Sequence, residues 1–359
     1  MMNIIKWKTE RVNSSSFTIP YDYEILHPIG TGAFGNVVAA RHSGQIVAVK
    51  KLIRPFYSLI HSKRTYRELV LLKTLNNPNA SVVQLIDAYT PDASLESFES
   101  LYLVLNFIPS DLSKVLKTQI MTENQICIVT YSLLRALKYI HSAGIIHRDL
   151  KPSNIGIDED LNVWILDFGL ARQSSTDQMT GYVTTRWWRA PEIMFHWRNY
   201  DERVDIWSVG CILGEMLTGK PLFPGDDYMD QLNKIMTITG SPNDEEISCI
   251  TEPCAREYLQ NLPFTPKRKF QDMFTNASNE IIEVMERLLS FNPSKRPTAA
   301  ESLLMPFFRE YHLPNDEPVS DVVIKLEDAS SLTIDQWKER TYKELMHFPK
   351  LHSTAVVSL

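Results

Sequence analysis

An octamer beginning at His147, HRDLKPSN, places a carboxylate at Asp149, an ammonium at Lys151 and a carboxamide at Asn154. An aspartate in that company can accept the proton of a hydroxyl group, and a carboxamide five residues on can offer its oxygen to magnesium. Downstream, the apolar run VWIL leads to Asp167-Phe168-Gly169, a carboxylate at the tip of a strand where it can meet a metal ion, although a lone Asp-Phe-Gly also reads as a turn. Upstream, GTGAFGNV sets Gly30, Gly32 and Gly35 between two strand-like runs, and glycines let backbone N–H groups approach phosphate oxygens closely. The run that follows, VVAARHSGQIVAVK, reads as a hairpin rather than a helix. That context favours a flap over a nucleotide and argues against a dinucleotide-dependent dehydrogenase. Lys50 closes IVAVK, and Glu68 in SKRTYRELVLL supplies an ion-pair partner that can aim its ammonium at phosphate oxygens. Ala190-Pro191-Glu192 pairs in prospect with Arg296 of NPSKRPTA, and Asp205, at the start of DIWSVG, reads as a helix cap.

The chain that must position these groups has 359 residues, enough for two or three compact units. Hydrophobic residues make up 44% and charged residues 22%, the balance of a globular protein. A net charge of −6 with interspersed signs gives no basic footprint for nucleic acid, so a phosphorylated ligand needs a local device. No apolar run reaches the roughly 18 residues of a membrane span, and the start MMNIIKWKTERVNSSS has neither the apolar core nor the cleavage site of a signal peptide. Cys127, Cys211, Cys249 and Cys254 show no CxxC spacing, which fits buried apolar roles in a reducing, intracellular setting.

Residues 1–20 are polar, broken by NSSS, and read as an arm. From Tyr23, YEILHPIG, GNVVAARH and IVAVKKLI predict short strands, SKRTYRELVLLKTL predicts a helix with Leu69, Leu72 and Leu75 on one face, and LYLVLNFI predicts another strand. After Pro109 the pattern turns to long helical segments, two of them closed by glycine. The shift near residues 105–111 is the candidate hinge between a β-rich and an α-rich lobe. Beyond about residue 313 an acidic, aperiodic stretch precedes one amphipathic segment, IDQWKERTYKELMHF.

Taken in order, these segments closely resemble the protein kinase fold, and with Thr180-Gly181-Tyr182 between DFG and APE they resemble the stress-activated mitogen-activated protein kinases. Further segments carry that likeness: RPFYSLIHSKRTYREL, FPGDDYMDQLNKIMTITGSPNDE, YHLPNDEP and SLTIDQWKERTYKEL. The resemblance implies an α+β, two-lobed fold: an N-terminal arm over 1–22, a kinase domain over 23–308 divided into lobes 23–108 and 109–308, and a C-terminal extension over 309–359 packed back on the lobes. It implies a Ser/Thr kinase that transfers the γ-phosphate of ATP to Ser or Thr followed by Pro. ATP is expected under Ile29, Gly30, Thr31, Gly32, Ala33, Phe34, Gly35 and Val37, against Ala48, Lys50, Leu105, Phe107 and Ile108, with Asn154 and Asp167 holding Mg2+. Asp149 is expected to orient the acceptor hydroxyl and Lys151 to neutralise the transferring phosphoryl group, with Glu68 holding Lys50.

Thr180 and Tyr182 are the implied phosphorylation sites, adding about −3 to −4 of charge when both are modified. Arg64, Arg67 and Arg148 are the implied receivers for the first phosphate, and Arg186 and Arg189 for the second. The resemblance further implies a monomer of cytoplasm and nucleus. Its expected partners are an upstream dual-specificity kinase, and phosphatases and substrates with basic docking motifs; nucleic acid and membrane are not among them. A non-catalytic scaffold is the alternative, but such chains lose equivalents of Lys50, Asp149, Asn154 or Asp167, and all four are present.

Several positions depart from the family pattern. Trp188 stands where tyrosine is usual, so a phenol hydrogen bond is expected to be missing and the substrate pocket reshaped. Leu105 replaces a threonine at the rear of the ATP pocket, which should obstruct compounds reaching past the adenine, and Pro109 replaces a glycine that often permits a peptide flip in the hinge. Leu313 and Asn315 stand where related chains carry aspartates, leaving Asp316 and Glu317, helped by Asp158, Glu159 and Asp160, to meet basic peptides.

Overall fold

A computed structural model describes residues 5–32, 35–173, 186–194, 200–248, 250, 253–326 and 331–348. Thr180, Tyr182, Ala33, Phe34 and Cys249 lie outside the described residues. The architecture is α+β, with a sheet-rich lobe followed by a helical one.

A five-stranded antiparallel sheet forms the first lobe: β3 (Glu24–Gly32), β4 (Gly35–His42), β5 (Gln45–Leu52), β6 (Leu85–Tyr89) and β7 (Tyr102–Asn106), in the order β3-β4-β5-β7-β6. The β4–β5 turn pairs His42 with Gln45, and Ser43 (φ 49°) and Gly44 (φ 80°) both take the left-handed backbone that a tight hairpin of this kind demands. Strand alternation then sorts the side chains. Val47 and Val49 of β5 join Val38, Ala40, Tyr102 and Val104 in an outer core, while Ala48 and Lys50 project from the opposite face toward the second lobe.

Residues 1–20 do not behave as an arm throughout. β1 (Trp7–Val12) and β2 (Ser15–Pro20) form a hairpin, and Phe17 and Ile19 are buried in the outer core. Two apolar side chains two apart anchor this otherwise polar hairpin, which is too weak a pattern to stand out in sequence.

Helix α1 (Leu59–Thr74) carries Leu69 and Leu72 inward, with Leu75 just past its end, and is capped by Ser58. The chain then passes through residues 107–109 to β8 (Ser110–Asp111) and α2 (Leu112–Thr118). The central helix α3 (Glu123–Ser142) opens on a Thr122/Gln125 capping box, and Gly144 follows it at φ 76°. Short strands β9 (Ile145–Ile146), β10 (Ile155–Ile157), β11 (Val163–Ile165) and β12 (Arg172–Gln173) frame the loops between them. Then come α4 (Pro191–Met194), the buried α5 (Arg203–Thr218) and α6 (Tyr228–Thr239). Short helices α7 (Asp244–Ser248), α8 (Pro253–Gln260) and α9 (Phe270–Met273) lead to α10 (Asn279–Leu288) and α11 (Ala299–Leu303). Finally α12 (Ile334–Met346) returns to the first lobe, where Trp337 packs on Tyr66 and Lys73 bonds Glu344 at 2.9 Å.

Candidate active site

Between the lobes lies a cavity of about 670 Å³. Its roof is the β3–β4 hairpin with Ile29, Gly30, Thr31, Gly32, Gly35 and Val37; its rear wall carries Ala48, Leu72, Val83 and Leu105; its floor carries Lys151, Asn154 and Asp167. Gly35 has a steric reason: a Cβ there would lie 3.1 Å from both Lys50 Cε and the Lys51 carbonyl oxygen. Of the residues expected around ATP, Ile108 also lines the cavity but Phe107 does not, its ring lying 6.4 Å from that of His27. Strand alternation alone would put Phe107 on the face of Leu105, but β7 ends at Asn106 and Phe107 lies beyond the strand. Asn106, Pro109, Ser110 and Asp111 line the cavity as well, and no charge or glycine pattern marks them in sequence.

Lys50 and Glu68 are joined as an ion pair, and Lys50 Nζ stands 3.9 Å from Asp167 Oδ1. Burial works against the Lys50 ammonium, but Asp167 and Glu68 outweigh it and hold its pKa above the ordinary lysine value. Burial likewise works to raise Asp167, and is overcome by Lys50, Arg64 and the Gly169 N–H, which keep it well below the usual carboxylate range. Beside it Lys151 donates to Asp149 Oδ2 at 2.8 Å. Asn154 donates to the Asp149 carbonyl at 2.8 Å and to Oδ2 at 3.0 Å. With its nitrogen so engaged, Asn154 has its carboxamide oxygen left to offer.

What fixes this loop is Asp205, which sequence reasoning takes for a cap. Its carboxylate, fully buried at the start of α5, accepts the N–H groups of His147 and Arg148, each at 2.8 Å. His141 Nε2 bonds the same group at 2.9 Å. Burial alone would raise Asp205, yet the His141 bond, His147 and the backbone donors hold it below the ordinary range. Arg148 is thereby set in left-handed backbone at φ 68°, a strain of the kind stored where a loop must be over-determined.

The expected phosphate receivers divide. Arg148 is stacked over Tyr200 at 5.4 Å, and burial, together with Arg172 and Arg189 nearby, lowers its pKa. Arg172 was not among the expected receivers; its position on β12, paired with β9 just before the catalytic loop, brings it there, and only tertiary structure shows this. Arg189 is buried, and Arg67 is half-buried on α1. Arg64 instead turns onto Asp167, with Nη2 3.3 Å from Oδ1. Arg186 lies over the Tyr228 ring at 4.7 Å and donates to the Asp226 carbonyl at 3.1 Å.

At Trp188 no phenol is present, but the indole N–H is a donor in its own right and bonds Glu215 Oε2 at 2.8 Å. Burial raises the Glu215 pKa, and this one bond only partly offsets it. Glu192 and Arg296 do pair as expected.

The acids expected to meet basic peptides need a correction. Glu317 is buried, taken by Lys138 at 2.8 Å, His312 at 2.7 Å and Tyr131 at 3.1 Å. Asp158 is spent on its own turn, accepting the N–H groups of Asp160 and Asn162. Glu159, Asp160 and Asp316 are exposed, and Asp316 faces Arg135 at 3.3 Å. A buried glutamate beside an exposed aspartate cannot be told apart from an acidic surface run by charge counting.

A lysine–glutamate pair above a carboxylate and a second carboxylate–lysine–carboxamide cluster below, across a cleft between two lobes, define a protein kinase. The protein kinase domain family matches residues 23–308. Among relatives, mitogen-activated protein kinase 14 of Xenopus laevis is 45% identical over 97% of each chain. Mitogen-activated protein kinase pmk-1 of Caenorhabditis elegans is 47% identical over 94% of this chain and 90% of its own. The chain belongs to the protein kinase family, and within it to the mitogen-activated protein kinases, which are Ser/Thr protein kinases. Among the described residues no helix is long and apolar enough to cross a membrane.

Proposed function

We propose that this chain transfers the γ-phosphate of ATP to serine or threonine followed by proline, in stress signalling, once Thr180 and Tyr182 are phosphorylated by an upstream dual-specificity kinase. The observation that carries the reading is the convergence of Lys50, Glu68, Lys151, Asn154 and Asp167 on one cavity with Asp149 bonded to its floor. Nothing in that geometry favours a scaffold without catalysis. Lys50 holds the α- and β-phosphates, aimed by Glu68, and the hydrophobic rear wall takes the adenine. Asp149 orients the acceptor hydroxyl and receives its proton, and Lys151 offsets charge on the transferring group.

Asp167 and Asn154 fit magnesium: both are hard oxygen donors on the same cavity floor. Asp167 and Asn154 would hold the ion together with the nucleotide phosphates. When bound, the ion neutralises charge on the phosphates. Half-buried Arg148 and buried Arg189, with Arg172 close by, form the receiving end for a lip phosphate. A monomer of cytoplasm and nucleus completes the reading.

The test is a peptide pair. Lip-phosphorylated protein prefers a Ser-Pro peptide over its Ser-Ala twin by about 10- to 100-fold in kcat/KM, the cost of one substrate N–H left unpaired. Thr180→Ala with Tyr182→Phe abolishes the response to the upstream kinase. Equal rates on both peptides, or full activity in the double variant, would refute it.

Docking of basic peptides then rests on few acids. Asp316→Asn weakens an Arg/Lys-rich docking peptide by no more than about threefold, as expected for an exposed, already paired charge. Glu317→Gln instead lowers stability by about 1–3 kcal/mol through its buried partners. Fluorescence anisotropy and thermal unfolding separate the two; a large affinity loss in Glu317→Gln with unchanged stability would reverse the assignment.

A further inference from the structure

Asp167 already carries a cation. Arg64 Nη2 lies 3.3 Å from its Oδ1 and 3.4 Å from its Oδ2. Lys50 is farther, at 3.9 Å, and its own hydrogen bond goes to Glu68. Arg64 is 8% exposed, so this is no solvated surface pair. The neighbouring chain is shaped around it: a Cβ on Gly169 would stand 2.2 Å from Arg64 Nε and 2.7 Å from Cζ, so only the missing side chain there leaves room for the guanidinium. Asp167 itself is held in left-handed backbone at φ 55°, with Oδ1 accepting the Gly169 N–H at 3.0 Å.

A half-buried carboxylate in a cleft is costly to leave without a counter-charge. A divalent cation needs the same oxygens, and two cations cannot both be optimally placed on one carboxylate. We infer that Arg64 is a positioning residue of the metal site: it holds Asp167 as a tethered counter-ion until the metal arrives, and must give up that carboxylate as the metal binds. The inference rests on Asp167 being a metal ligand. It trades metal affinity for a carboxylate pre-set in its binding conformation.

Manganese is the probe, titrated into full-length, unphosphorylated protein with ADP and followed by electron paramagnetic resonance of the free ion. Arg64→Gln binds the ion about tenfold tighter, the scale of a lost charge-assisted hydrogen bond. Arg64→Lys, which keeps the charge, stays within about threefold of the parent, as expected if charge rather than shape decides. Lys73→Gln, on the same helix but paired with Glu344, changes nothing. Gly169→Ala, whose methyl displaces the guanidinium, shifts affinity in the direction of Arg64→Gln and serves if that variant does not fold. ADP affinity without metal is the same in parent and Arg64→Gln. Unchanged or weaker metal binding in Arg64→Gln, or equal tightening in Arg64→Lys, overturns the inference. Asp167→Asn separates the two levels: loss of the ion there with no effect of Arg64→Gln sinks only the role of Arg64, while retained binding sinks the assignment of Asp167 itself.

Discussion

Asp149→Asn lowers kcat for peptide phosphorylation by about 10³-fold, within the 10²–10⁴ range for removing a positioned proton acceptor. The substitution is isosteric, and the bond from Asn154 to the Asp149 backbone carbonyl at 2.8 Å does not depend on the side chain, so the loop keeps its course. What is lost is the anion that Lys151 faces at 2.8 Å and the base for the hydroxyl proton. ATP is held elsewhere, by Lys50, the β3–β4 hairpin and the hinge, so its KM stays within about threefold; an effect confined to kcat marks an interaction made in the transition state. Steady-state rates at saturating ATP, with a thermal melt to confirm folding, decide the matter. A variant retaining a fifth or more of the parent kcat would remove Asp149 from the chemistry.

Much of this machinery is legible in the chain because it is local. Lys50 and Ala48 share a face through strand alternation alone, and Asp149, Lys151 and Asn154 fall within one short loop. Helix ends are equally readable: Gly144 at φ 76° and Gly219 at φ 69° form the predicted kind of stop.

The rest depends on contacts between distant segments. Asp205 has the residue type and position of a cap, yet its carboxylate serves a loop 57 and 58 residues away in the chain. Glu317 looks like one more surface acid until Lys138 and His312 close over it. Trp188 loses a phenol but keeps a donor, because an indole N–H can still reach Glu215 at 2.8 Å. Arg172 sits in a two-residue strand whose pairing only the fold reveals. In each case residue type gave the chemistry available, and burial chose its use.

Arg296→Met costs about 3–5 kcal/mol of stability, the scale for breaking a buried ion pair from one side. Arg296 is 1% exposed and grips Glu192 with two bonds, at 2.5 and 2.9 Å. It also donates to the carbonyls of Ser290 at 2.7 Å, Phe291 at 3.1 Å and Arg203 at 3.2 Å, and lies 4.9 Å from the Trp207 ring. Methionine fills much of the volume but answers none of these oxygens, and Glu192, itself 1% exposed, is left charged without a partner. For a chain of this length the loss lowers Tm by on the order of 5 °C. Adding Glu192→Leu to Arg296→Met removes the stranded charge and restores part of the loss, with a coupling energy of about 2–3 kcal/mol in a double-mutant cycle. The carbonyls remain unanswered, so recovery is incomplete. Additive single effects, measured by denaturant unfolding, would mean that the Glu192–Arg296 pair contributes nothing beyond packing.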